Sequence, residues 1–183
     1  MSKQIACIVL VVWSISVTDT AASDPANTAN AYIQTLRTGS PREATKIWDA
    51  EETLLGAFGL SFAMLSPEEQ RRAEKAFLKF IELPYANPKI KDLFKTIKPE
   101  QVAVRKVEDD LCMVGIIIVG DEGRFRSKNY LMLKKSAAGN WKLVDQRHAK
   151  QMSVRVALST MYASGRKNDS DTIASVLEQA IGN

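Results

Sequence analysis

The fold class is best judged from residues 111–119, which read LCMVGIIIV. This stretch is apolar on both faces of a strand, whereas Val102 and Val104, a few residues earlier, alternate with Ala103 and Arg105 at a period of two. A strand that is apolar on both faces belongs in the middle of a sheet that is covered on both sides, or beside a cavity. We therefore expect residues 111–119 to form a central strand.

Turn signals on either side of this strand indicate how the sheet is connected. The acidic stretch 108–110 precedes it, and GDEG at 120–123 follows it. A third strand is expected over 124–134, and residues 136–140 turn the chain into a fourth that begins at Trp141. Turns this short predict four antiparallel strands joined as a meander.

Helical spacing dominates before and after the predicted sheet. A helix is capped by Asp24, and residues 51–65 are apolar around most of a helical circumference, which predicts a buried helix. Ser66 and Glu69 have the spacing of a capping box, and the helix that they begin is expected to end at Leu83 and Pro84. Two further helices are marked by apolar residues in these ranges: 154–162 and 173–181. The fold class expected is α+β, with N-terminal helices packed on a curved four-stranded antiparallel sheet and two C-terminal helices closing the chain.

The first 23 residues have the pattern of a secretory signal peptide. Lys3 is followed by an apolar run over 5–13, and small residues occupy 21–23. The apolar run is shorter than the about 20 residues that a membrane-spanning helix needs. We therefore expect residues 1–23 to be removed on export and residues 24–183 to form a single soluble domain.

Charge and residue types exclude several function classes. The 25 basic and 21 acidic residues give a net charge of +4, which is too small to indicate a nucleic-acid-binding protein. The single histidine, His148, excludes a site with several histidine ligands. The acidic stretches 108–110 and 121–122 fit no calcium loop and are interpreted as solvated turns. No metal site, cofactor or catalytic residue is expected.

Three smaller groups of residues have plain structural interpretations. Asp145 and His148 are three apart, so on one strand they point to opposite faces. Cys112 is left without a partner once the leader with Cys7 is removed, and is expected to be a buried small apolar residue. The solvent side of the third strand is expected to carry a basic series: Arg124, Arg126, Lys128, Lys134 and Lys135.

Apolar residues are abundant on segments that already have a covered face. Residues 51–65, residues 111–119, and Leu131 with Leu133 all have this character. They fit either a tightly filled core or a deep apolar cavity between sheet and helices, which is a common form of small-molecule site.

Two stretches resemble a known family. The first runs from Trp48-Asp49-Ala50-Glu51-Glu52 through Leu55-Gly56, then through LSPEEQR at 65–71 and FLKF at 77–80. The second is GNWKLVD at 139–145, followed by the closing pair of helices. Together they are similar to the MlaC, or toluene-tolerance, family of periplasmic lipid-binding proteins, which is related to the nuclear transport factor 2-like fold.

The resemblance implies a non-enzymatic carrier in the periplasm that takes a phospholipid between membrane ABC transporter components and holds its acyl chains in the cavity. On this interpretation, the ligand is bound by apolar side chains of the helices and the sheet. The expected residues are Leu55, Phe58, Phe62, Phe77, Phe80, Ile81, Met113, Ile117, Leu131, Leu133 and Leu143.

Two other function classes stay open at this point. One is a small-molecule isomerase or hydrolase of the same fold that uses Asp145, His148 or Tyr130 in the cavity. The other is a non-catalytic module that binds a partner, for which we expect a filled core and an exposed apolar patch. The volume and lining of the space between sheet and helices discriminate among them.

The leader hypothesis is tested by the mass of the exported chain. When the full sequence is expressed in a bacterial host with an outer membrane, we expect the periplasmic fraction to contain a protein that begins at or near residue 23 or 24. Intact-mass spectrometry of that fraction measures it. A chain of full length found only in the cytoplasmic fraction would contradict the hypothesis.

Overall fold

The computed structural model describes residues 24–120, 123, 125–166 and 171–182, so the proposed leader lies outside the described residues. Within these ranges six helices precede a four-stranded sheet and two helices follow it. The elements are α1 (Pro25–Thr38), α2 (Pro41–Ile47), α3 (Ala50–Phe58), α4 (Leu60–Ala63), α5 (Pro67–Ala86), α6 (Pro88–Thr96), β1 (Lys98–Glu108), β2 (Leu111–Gly120), β3 (Phe125–Lys135), β4 (Trp141–His148), α7 (Val154–Gly165) and α8 (Ile173–Gly182). The predicted α+β class is confirmed.

The sheet is the expected meander. Its strand order is β1-β2-β3-β4, and each neighbouring pair is antiparallel. Val114 of β2 lies opposite Leu131 of β3, and Leu133 lies opposite Leu143 of β4. An irregularity between Met132 and Leu133 interrupts the β3–β4 register, and a bulge of this kind bends the strand and increases its twist.

Strand β2 is central, but the two faces of the strand are buried to different extents. Cys112, Val114, Ile116 and Ile118 are buried beneath the helices, whereas the odd-numbered residues between them are only half-buried. We call these the inner and the outer face of the sheet. Full cover on both faces is therefore not observed, and the other alternative, a strand beside a cavity, fits better, because Ile118 of β2 lines the space between sheet and helices. A run that is apolar at every position carries no signal that separates its two faces.

The predicted helix over 51–65 is interrupted. Gly59 has a φ of 55°, in the region that favours glycine, and it separates α3 from the short α4. Leu54 in α3 is fully buried, but Leu60 is 78% exposed and Met64 is 83% exposed. Burial all around this helix was thus a wrong expectation, because Leu60 and Met64 face solvent on either side of Phe62, which is buried.

Helix α5 begins as predicted and ends later than predicted. The Ser66 hydroxyl accepts a hydrogen bond from the Glu69 N–H at 3.3 Å, and the Glu69 carboxylate accepts one from the Ser66 N–H at 3.1 Å, so the capping box is confirmed. The helix then continues through Pro84 to Ala86. A proline in the last turn disrupts little of the hydrogen-bond ladder, which explains why the helix does not end at Leu83.

The aromatic centre of the core is Trp48. Its ring makes edge-to-face contacts with Phe77, at 5.5 Å between centroids, and with Tyr32, at 6.3 Å. The backbone of Trp48 also forms a parallel bridge with Leu143, and the Asp49 N–H donates to the Leu143 carbonyl at 2.9 Å. Residues 48 and 49 therefore join the helical layer to the exposed edge of β4.

Two leucine truncations test which side chains of residues 51–65 are buried. Leu54→Ala removes a fully buried side chain and should lower the free energy of unfolding by about 2–5 kcal/mol. Leu60→Ala should change it by less than about 0.5 kcal/mol, because the side chain is largely in solvent. Urea unfolding followed by circular dichroism measures both. Equal losses for the two variants would mean that Leu60 is buried in solution.

Candidate functional site: a cavity between helices and sheet

A cavity of about 520 Å³ lies between the end of α5, helix α6 and the inner face of the sheet. This volume is within the range of small-molecule binding sites, roughly 300–1,000 Å³. Apolar side chains make up most of its lining, among them Phe80 and Ile81 of α5, Ile90, Leu93 and Phe94 of α6, and Ile118 and Phe125 of the sheet.

Helix α6 is the outer wall of this cavity. Asn87 caps it by accepting a hydrogen bond from the Lys89 N–H at 3.0 Å, and Pro88 is its first residue. An amphipathic helix normally buries its apolar face, yet no residue of α6 is fully buried and Leu93 is 40% exposed. The apolar side of α6 therefore faces a space that protein atoms do not fill.

Five polar or partly polar side chains form another part of the lining, which we call the polar wall: Tyr32, Trp48, Ser127, Asn129 and Gln146. The Tyr32 hydroxyl donates to Gln146 Oε1 at 2.7 Å, and Asn129 Nδ2 donates to Ser127 Oγ at 3.0 Å. The indole nitrogen of Trp48 is buried without a hydrogen-bond partner.

Among the residues that the structure describes, no charged side chain lines the cavity. Burial raises the pKa of Tyr32 well above its ordinary value, nearby Tyr85 raises it further, and the indole of Trp48 partly opposes the rise. The indole N–H thus lies near the phenol oxygen, although the contact does not have the geometry of a hydrogen bond. Tyr32 is neutral at physiological pH, so the cavity is electrically neutral as well as mainly apolar.

The structure distributes the predicted ligand-binding residues over five environments. Phe80 and Ile81 line the cavity. Five others are in the filled core and do not line it: Phe62, Phe77, Leu131, Leu133 and Leu143. Leu55 is exposed, and Phe58 packs edge-to-face on Tyr162 of α7 at 5.5 Å.

Met113 and Ile117 lie on the outer face of β2, so they do not share a cavity with Phe80 and Ile81. The expectation that all the selected residues line one space is corrected by this placement. Residues of α6 and of the polar wall were missed, because the selection followed the most apolar segments and these pack against each other. The signal that pointed to α6 was its helical spacing of Ile90, Leu93 and Phe94 among lysines.

The outer face of the sheet carries the residues of the enzymatic alternative only in part. Tyr130 and Asp145 line a recess of about 530 Å³ there, together with Arg147. Asp145 Oδ1 accepts a hydrogen bond from the Arg155 N–H at 3.1 Å, close to the start of α7. His148 pairs with Asn129, an inner-face position, so Asp145 and His148 point to opposite sides as the spacing predicts.

The basic series on β3 is partly paired. Arg126 forms an ion pair with Glu100 at 2.7 Å, and Lys134 forms one with Glu52 of α3 at 2.5 Å. Lys128 lies over the Tyr130 ring, 5.4 Å from its centroid. Arg124 lies outside the described residues. The outer face is therefore a mixed basic and apolar surface rather than a uniform cationic one.

Searches for two other kinds of site gave no candidate. Within the described ranges, no three acidic, histidine or cysteine side chains are grouped as metal ligands. Among the same residues, no helix has the length and apolar character needed to cross a membrane.

Comparisons with known proteins identify a structural relative. The sequence matches no protein-family model, and no curated protein matches it. The chain is similar in structure to a phospholipid-binding protein from Ralstonia solanacearum that was solved in complex with a phospholipid. The TM-score is 0.60 and the sequence identity 14%, over 85% of this chain and 90% of the other. At this identity, the likeness shows that the two chains share a fold.

The inner face of the sheet has a filled end, where Cys112 and Leu133 are buried in the core, and an open end, where the cavity lies. The accessibility of a thiol at each end can be tested by its rate of alkylation. Cys112 is buried at the filled end, opposite Leu133, and burial raises the pKa of its thiol. In a Cys7→Ser chain, we expect Cys112 to react with iodoacetamide at least about a hundredfold more slowly than in the unfolded chain, because reaction requires local opening.

The matched control places a thiol at the open end. Leu93→Cys, made in a chain that lacks both native cysteines, should react at nearly the rate of a small peptide thiol, since Leu93 is on the exposed wall. Mass spectrometry of quenched samples measures both rates. Similar rates at the two positions would contradict the distinction between a filled and an open end.

Proposed function

We propose that this chain is a carrier that binds an apolar ligand, with a phospholipid as the first candidate, in the cavity beside α6. The observation that carries the proposal is a neutral, mainly apolar cavity whose outer wall is a helix without a fully buried residue. The shared fold with a phospholipid-binding protein supports the choice of ligand.

The energetics of such a cavity suit a carrier. Moving a chain of ten methylene groups from water into the cavity would contribute about 8 kcal/mol, at about 0.8 kcal/mol per methylene, before the costs of ordering the ligand. A bilayer interior is as apolar as the cavity, so exchange of the chain between membrane and protein is close to balanced in free energy. A ligand that is held firmly against water can thus still be transferred between membranes.

The proposal extends to location and partners. On the resemblance to the MlaC family, the chain acts in the periplasm after removal of residues 1–23 and exchanges its ligand with membrane ABC transporter components. A carrier in such a system needs binding and release but no catalytic group.

The other two function classes fit the structure less well than a carrier does. The isomerase or hydrolase hypothesis needs Asp145, His148 or Tyr130 in the cavity, and none of the three lines it. The partner-binding hypothesis finds some support in exposed Leu60 and Met64, but it also expects a filled core.

Cavity filling tests the proposal directly. Leu93→Trp adds bulk on the α6 wall, where the side chain is partly exposed, and should reduce bound lipid several-fold by occupying space that the ligand needs. Lipid extraction and mass spectrometry would measure the lipid retained by the protein after incubation with phosphatidylethanolamine and phosphatidylglycerol vesicles and separation from them.

The control is Val156→Trp on α7, which adds the same bulk at a side chain that is 51% exposed and does not line the cavity. It should retain as much lipid as the original protein. If the original protein takes up no lipid from vesicles, or if both variants lose it equally, binding in this cavity is contradicted.

A further inference from the structure

We infer that the polar wall recognises the ester group of an acyl chain, and that the indole N–H of Trp48 is the donor to its carbonyl oxygen. The inference rests on the proposed function and specifies the ligand class of the same cavity. It follows from the hydrogen-bond pattern, the charge and the size of the cavity.

The first observation is an unused donor. Trp48 lines the cavity and is only 5% exposed, yet its Nε1 has no hydrogen-bond partner. A buried N–H without a partner is unfavourable, and most buried polar groups in folded proteins are hydrogen-bonded. A ligand that offers an acceptor atom beside Trp48 would remove it.

The neighbours of Trp48 also leave donors available. Gln146 Oε1 is occupied by the Tyr32 hydroxyl, so the side-chain group that Gln146 can still offer is its N–H₂. Ser127 Oγ accepts from Asn129 and keeps its own proton for donation. The amide oxygen of Asn129 is an acceptor, but the other groups that the polar wall can offer are donors, so it is suited mainly to a group that accepts hydrogen bonds.

The lack of charge in the lining restricts the chemical class of the ligand further. A carboxylate or phosphate group accepts hydrogen bonds, but among the described residues no cationic side chain lines the cavity to compensate its charge. An alcohol would add another donor. An ester carbonyl accepts hydrogen bonds and carries neither a charge nor a proton, so it fits the polar wall best.

The volume of the cavity limits the number of acyl chains that it can hold. If each heavy atom of an acyl chain takes up about as much space as a water molecule in the liquid, roughly 30 Å³, the cavity of about 520 Å³ holds about seventeen atoms. That is one acyl chain with its ester group. A lipid with two chains would place one of them here.

Two probes with the same number of heavy atoms, methyl tetradecanoate and heptadecane, separate the contribution of the ester group to binding from that of the hydrocarbon. Trp48→Phe keeps an aromatic ring but removes the N–H. We expect it to weaken binding of the ester about threefold to tenfold, the effect of one hydrogen bond, relative to any change for heptadecane. Equilibrium partition from cyclodextrin, with bound probe quantified by mass spectrometry, measures the affinities of the full chain.

Trp141→Phe is the matched control, since Trp141 is buried but does not line the cavity, and it should leave both affinities unchanged. If Trp48→Phe does not fold, a second measurement is the fluorescence emission of Trp48 in a Trp13→Phe, Trp141→Phe variant, in which Trp48 is the remaining tryptophan. The ester should then shift that emission to longer wavelength than heptadecane does.

The outcomes separate this inference from the proposed function. Equal effects of Trp48→Phe on both probes, or equal emission shifts, would overturn the ester site while the carrier function stands. Failure of the original protein to bind either probe would overturn the carrier function itself. Binding of sodium tetradecanoate at pH 8 as tight as that of the ester would also overturn the inference, because it would require a compensating charge in the cavity.

Discussion

The junction between Trp48 and β4 is the contact on which the rest of the structure depends. The backbone bridge to Leu143 fixes the helical layer against an otherwise open strand edge, which would be a site for aggregation if left unpaired. The ring of the same residue joins α1, through Tyr32, to α5, through Phe77. Because one residue carries both functions, the distance between helices and sheet is set at this point.

That distance explains why a core and a cavity coexist in one small α+β unit. On one side of Trp48 the large side chains of Phe77, Leu133 and Leu143 are fully buried in the core. Toward Ile118 and Phe125, small polar residues such as Ser127 replace them on the inner face, and α6 covers the gap only partly. The cavity is thus the region where Ser127 and Asn129 stand in place of large apolar side chains on the inner face and α6 leaves the gap partly open.

The sequence was informative where structure depends on neighbouring residues and uninformative where it depends on distant ones. The meander followed from short turns, and α5 began where Ser66 and Glu69 form their capping box. The faces of β2 were not distinguishable, because every position is apolar, and the break at Gly59 is a backbone conformation that apolar periodicity does not report. Whether a set of apolar residues fills a core or surrounds a cavity depends on the volumes of residues far apart in the chain. This is why the sequence did not separate Phe80 and Ile81, which line the cavity, from Met113 and Ile117, which lie on the outer face of the sheet.

Helix α6 also has a consequence for how fast a ligand could come and go. Local stability within a folded protein follows the amount of buried apolar contact, and α6 has no fully buried residue, whereas the core strands have several. Its opening therefore requires only a fraction of the free energy of global unfolding, and it leaves the sheet and the Trp48 junction intact. On the carrier proposal, exchange of the ligand would therefore be separated from the stability of the protein: the rate of release would depend on a nine-residue helix, and the lifetime of the folded chain on the core behind it.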